Sequence, residues 1–174
     1  MSNPTRNTIQ QRANSQLSRF GLKSGCAVAT HRPVQVYMQL ASACNLGCYM
    51  CSEYNRPEGE RYGKGLISLP PEVFERLETE VFPFSSQVFF GVGGEPTFSS
   101  HFADYVERAG AASQEINLIT NGTFLERERI AQAVADNVAG IQVSIDAANA
   151  ETYERIRVGS RWSRLIRGIE KLQE

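Results

Sequence analysis

The chain has 174 residues, of which 41% are hydrophobic and 21% charged, with a formal net charge of -1. That length suits one domain able to bury about 70% of its unfolded surface, and the near-neutral charge supplies no field that would recruit nucleic acid or an anionic membrane. No apolar run approaches the ~20 residues that span a bilayer, and the N-terminus lacks the hydrophobic stretch of a secretory signal, so the expected location is cytoplasmic.

Residues 1–32 are polar, and no Asp or Glu occurs before Glu53, whereas Arg6, Arg12, Arg19, Lys23 and Arg32 are spread through the segment. This reads as an N-terminal extension, either mobile or docked on the surface, and not as part of the core. The same Arg-rich, acid-poor composition also describes organellar transit peptides. Cys26, with no evident partner, reads as a free thiol.

From residue 33 onward, short β-branched runs alternate with segments of helical spacing, the pattern of βα units on a parallel sheet. The first predicted strand is Val34–Leu40, and directly after it stands Cys44-Asn-Leu-Gly-Cys48-Tyr-Met50-Cys51. Three thiols on one loop are a soft metal-binding set one ligand short of a closed tetrahedral site. They require either a distant fourth ligand, for which His31 and His101 are available in a structural zinc site, or an open coordination position. A long loop from Ser52 to Ser68 follows.

A predicted helix, Pro71–Val81, opens on a proline whose missing N–H is not needed in a first turn. The second strand, Gln87–Gly91, leads into Gly93-Gly94-Glu95-Pro96. Two glycines there would let a bound molecule lie against the backbone, although the same string also makes an ordinary turn. After the helix Phe102–Ala112 and the strand Glu115–Thr120 comes Asn121-Gly122-Thr123, again either a turn or a ligand contact. The helix Phe124–Ala135 and the strand Gly140–Ile145 follow. Alternation along that strand places Ser144 and Asp146 on one face, where they could meet one ligand or cap the following turn. Helices Ala150–Arg157 and Ser163–Leu172 complete the chain, the first ending in Arg157, which in isolation reads as a solvated helix end.

Taken together, the cysteine spacing of Cys44, Cys48 and Cys51, with Met50 before the last of them, and the motifs that end each later strand resemble the radical SAM superfamily over roughly residues 33–174. What the resemblance implies is a [4Fe-4S] cluster held by Cys44, Cys48 and Cys51, its open iron chelated by S-adenosylmethionine (SAM). It further implies that Gly93, Gly94 and Glu95 receive the SAM amino group, that Met50 and Asn121 border the cofactor, that Ser144 and Asp146 serve its ribose and carboxylate, and that Arg157 is the arginine which ends the helix after that pair and also meets the cofactor. The Ser-x-Asp followed by a helix ending in Arg is similar to the SPASM and twitch branch. No side chain is singled out as catalytic.

The fold expected is α/β, a partial (β/α) TIM-type barrel with about four βα units. It is truncated relative to the (β/α)6 core that the resemblance implies, so that residues 33–174 form a partial core domain. The implied activity is oxygen-sensitive reductive cleavage of SAM to a 5'-deoxyadenosyl radical, which takes hydrogen from an unidentified substrate, with a peptide preferred by analogy. Its expected partner is an external one-electron reductant, flavodoxin or ferredoxin, and the two absent βα units leave three readings open: a truncated reading frame, a C-terminal half on another chain, or a degenerate binding module. A non-catalytic metal-binding or interaction module, or an inactive N-terminal fragment, stands as the alternative.

Overall fold

The computed structural model describes residues 8–52, 68–112 and 115–173; of the long loop expected after the cysteines, 53–67 lie outside the described residues. Its centre is set by strict alternation. In β2, Gln87–Phe90, the side chains of Val88 and Phe90 are buried, and in β3, Glu115–Thr120, those of Ile116, Leu118 and Thr120 are. One face of each strand is thereby committed to a core.

Four strands make one all-parallel sheet in the order β1-β2-β3-β4, with β1 at Gln35–Met38 and β4 at Val138–Val143. Parallel neighbours need a crossover, and the helices α2 (Pro71–Glu80), α3 (Phe102–Ala111) and α4 (Glu128–Asn137) supply one between each successive pair. Their apolar stripes cover the buried face. Phe74 of α2 stacks on Tyr105 of α3 at 4.0 Å between ring centroids and meets Phe82 edge-on at 5.6 Å. The tyrosine hydroxyl donates to the Leu69 carbonyl at 2.8 Å, which removes the cost of burying it.

Among the described residues the opposite face of the sheet is the more exposed one. Tyr37, 60% exposed, stacks on Phe89 at 4.4 Å, and the Gln87 amide donates to Glu115 at 3.0 Å while accepting from Gln35. Helices α5 (Ala150–Ile156) and α6 (Trp162–Lys171) follow β4.

The α/β sheet of four parallel strands is the expected one, with differences at three places. Helix α4 begins at Glu128 and not at Phe124, because Gly122 to Arg127 close two successive turns, Leu125 N–H to Gly122 O at 3.2 Å and Arg127 N–H to Phe124 O at 3.0 Å. Those turns bury Phe124 and Leu125 against the core. Strand β4 begins at Val138, directly after α4, and its register against β3 shifts between Ile116 and Asn117. It ends at Val143, so Ser144 and Asp146 lie beyond the strand and its alternation does not govern them.

The third difference is in the N-terminal extension, where Ile9–Lys23 form a helix, α1, capped by a reciprocal pair between Thr8 and Gln11. The buried Asn14 side chain joins it to the rest of the molecule. Its amide donates to Arg32 O and Phe84 O, each at 3.0 Å, and its carbonyl accepts from Arg32 N–H at 2.9 Å. An Asn14→Ala substitution should therefore release α1, raising its cleavage rate in limited proteolysis. The cost to global stability, read by urea unfolding, should be about 1–3 kcal/mol.

Candidate functional site

Because every strand is parallel, all four carboxyl ends reach one edge of the sheet, the edge where α/β proteins carry their ligand sites. A pocket of about 660 Å³ opens there. Its lining includes Cys44, Cys48, Cys51 and Met50 from the loop after β1, Gly93, Gly94 and Glu95 from the loop after β2, Asn121 after β3, and Ser144 and Arg157 from beyond β4. Of the residues that the resemblance assigns to the cluster or to SAM, Asp146 alone does not line it. Asp146 takes a left-handed conformation, φ 59°, and grips Arg157 from behind, its Oδ2 accepting from Nε at 2.6 Å and pairing with Nη2.

Glu95 is 3% exposed and both of its carboxylate oxygens accept hydrogen bonds. Oε1 accepts from Thr97 N–H at 3.1 Å, from the Thr97 hydroxyl, and from the Thr120 hydroxyl at 2.6 Å. Oε2 accepts from Asn121 N–H at 2.8 Å. This ties the loop after β2 to the end of β3, and Glu95 N–H donates to Ala43 O at 3.0 Å, which ties it to the cysteine loop as well.

Gly94 sits so close beneath that loop that a Cβ there would come within 2.4 Å of Ala43 O and 2.6 Å of Ala41 O. Gly93 holds φ 78°, which an L side chain rarely adopts. Both glycines thus have a packing reason beyond any ligand.

A second set of bonds closes the pocket on the β3 side. Asn45 donates to the Thr123 hydroxyl at 2.9 Å, that hydroxyl donates to Asn121 Oδ1 at 2.7 Å, and Asn121 Nδ2 donates back to Asn45 Oδ1 at 2.9 Å. Asn45 and Thr97 were not singled out by sequence, and Thr120 and Thr123 entered only as the flanks of Asn121. Only their proximity to the cysteines and to Glu95 and Asn121 in the chain hinted at them, since the bonds span up to 78 residues.

The thiols feel this environment. Burial pushes the Cys44 thiol above its ordinary range; the Leu46 N–H opposes the rise, Glu95 adds to it and the Asn121 amide opposes it. Burial raises the Cys48 thiol too, against the pull of Arg157. Both therefore stay protonated at neutral pH in the metal-free protein, and metal binding would release their protons. The three cysteines share the pocket without being gathered around a common centre: among the described residues no group of three or more His, Cys, Asp or Glu side chains is disposed to hold a metal ion.

The zinc arrangement with a histidine as fourth ligand is not what the fold allows. His31 lies in the groove beside α1, its Nδ1 2.8 Å from Arg32 O, and His101 stacks on Tyr105 at 5.4 Å; neither lines the cysteine pocket. Glu95, the remaining candidate ligand in the pocket lining, has its carboxylate committed to four internal hydrogen bonds. By donor type the pocket offers three soft ligands and one position left for something else, the set that suits a cluster with one open iron, and the three thiols must draw together to hold it.

The family profile of the radical SAM superfamily matches residues 38–174. The chain belongs to that superfamily. It is 30% identical over 143 residues to the mycofactocin maturase MftC of Mycolicibacterium smegmatis, covering 80% of this chain and 34% of that protein. It is 32% identical over 136 residues to the PqqA peptide cyclase of Rhodopseudomonas palustris, covering 77% and 34%. The crystal structure of Streptococcus suis SuiB bound to S-adenosylmethionine shares the fold, with a TM-score of 0.68 at 15% identity, covering 92% of this chain and 35% of that one. The chain thus spans about a third of the length of these relatives.

Replacing Glu95 by Ala would orphan buried donors from three residues, each costing about 1–3 kcal/mol. We expect Glu95→Ala to lose more than about 3 kcal/mol in urea unfolding, and Thr120→Val, which removes one donor to the carboxylate and the acceptor of Gly122 N–H, to lose about 1–3 kcal/mol. Equal small losses in both variants would show that the carboxylate does not hold the loops.

Proposed function

We propose that Cys44, Cys48 and Cys51 hold a [4Fe-4S] cluster in this pocket and that SAM binds beside it, in a radical SAM enzyme. The observation that carries this reading is the single pocket that joins all three thiols to the loop after β2, Asn121, Ser144 and Arg157. Bound together, cluster and SAM supply one-electron cleavage of the sulfur to 5'-carbon bond, with hydrogen then taken from a substrate.

The chain's own residues would do the holding. Backbone groups of Gly93 and Gly94 face the pocket and suit the SAM amino group, whereas the Glu95 carboxylate, with one acceptor position left on Oε2, serves first to keep that backbone in place. Ser144 presents a hydroxyl to a ribose, and Met50, 46% exposed, supplies an apolar border to the site. The walls formed by the three loops shield the reacting centre from bulk water.

Membership of the SPASM-like branch and a peptide substrate are supported by the relatives, one a peptide cyclase, and by the Ser144 and Asp146 pair. An external one-electron donor, flavodoxin or ferredoxin, is required by the chemistry. Selection of substrate belongs, on this reading, to parts of the enzyme outside the third that aligns with the relatives, on the same polypeptide or a second chain. No helix among the described residues is long and apolar enough to cross a membrane, which agrees with a cytoplasmic setting.

The test is electron paramagnetic resonance of the anaerobically reconstituted, dithionite-reduced protein with and without SAM. A reduced [4Fe-4S] signal that changes on SAM addition supports the proposal, and a signal indifferent to SAM overturns it. Cys48→Ala should lose cluster iron and sulfide altogether; a full complement in that variant would remove Cys48 from the ligand set.

A further inference from the structure

Two side chains in the pocket point at sulfur. Asn121 Nδ2 lies 3.6 Å from Cys44 Sγ, which also receives the Leu46 N–H at 3.4 Å. Arg157 Nη1 lies 3.9 Å from Cys48 Sγ. The arginine cannot swing freely, because its other edge is held by Asp146 and its side chain is only 15% exposed. The amide is equally fixed, locked in the ring with Asn45 and Thr123. Fixed donors aimed at two of three thiols are not needed to bind SAM, and sequence resemblance alone assigned both residues to that cofactor.

Resting on the functional reading above, we infer that Asn121 and Arg157 are positioning residues for the electron, setting the reduction potential of the cluster through Cys44 and Cys48. Reduction moves one electron from the external donor into the cluster core, with no proton transferred and no bond made or broken. The assembly already carries three thiolate charges and becomes one unit more negative. N–H groups at the ligating sulfurs disperse that charge, and a half-buried guanidinium beside one of them favours the reduced form. Screening is weak because the pair is drawn away from water. Asp146 keeps the guanidinium at the sulfur and limits its field, so the two residues act as one unit.

An arginine that served only the SAM carboxylate would leave the cluster unchanged when SAM is absent. The experiment is therefore an EPR-monitored redox titration of the reconstituted protein without SAM, with iron and sulfide content measured alongside. In Arg157→Gln we expect the ratio of reduced to oxidised cluster at a fixed potential to fall roughly three- to tenfold, a negative shift of up to ~59 mV for a one-electron couple. Arg157→Lys, which keeps the charge, should stay within about threefold of wild type. Asn121→Ser, too short to reach Cys44, should shift in the same direction by a smaller factor.

A cluster-bearing Arg157→Gln protein with the wild-type midpoint overturns the inference and leaves the functional reading standing. If that variant holds no cluster, the Asn121→Ser midpoint decides: a negative shift supports the inference, and an unchanged one overturns it. A wild-type protein that takes up no cluster overturns the functional reading itself.

Discussion

The site depends on one buried carboxylate. Glu95 accepts from donors contributed by Thr97, Thr120 and Asn121, while its own N–H reaches Ala43. Four charge-assisted bonds in a water-excluded position make a stiff junction. Through it the loops after β1, β2 and β3 move as one body, and Gly94 lets them approach closely enough to share a wall. Without that junction each loop would be a separate excursion from the sheet, and the loop that carries the three thiols would lose the wall it shares with Glu95 and Asn121.

The same economy governs the β4 side. Arg157 is drawn into the pocket by Asp146, and Gly47 N–H donates to Val158 O at 2.8 Å. The cysteine loop is therefore bonded both to its neighbour in the sheet and to the segment after α5. Metal sites gain affinity and selectivity from such supporting shells, and here the shell comprises ordinary residues: Asn, Thr, Asp, Arg and backbone amides.

Much of the fold was legible in the chain. Alternation in Gln87–Phe90 and Glu115–Thr120 is a local property, and so is the proline at the start of α2, so those elements fell where spacing put them. The region from Thr123 to Val143 was less so, because Phe124 and Leu125 carry helical spacing yet are buried through two turns, a choice made by the core they meet. The helix α1 was missed for a related reason: its apolar residues at helical spacing, Ile9, Leu17 and Phe20, stay exposed and sit in a polar segment, and what fastens it is Asn14, with partners 18 and 70 residues away.

The sequence by itself determined the family, the three thiols, and the strand-end positions of the motifs, because spacing within a loop and periodicity within a strand are short-range facts. Tertiary structure alone decided what those residues touch. It turned Glu95 inward onto threonine hydroxyls, took both histidines away from the cysteines, and brought Arg157 and Asn121 to sulfur across separations of 109 and 77 residues. Contacts of that reach are fixed by how four parallel strands set their ends side by side, and no local pattern encodes them.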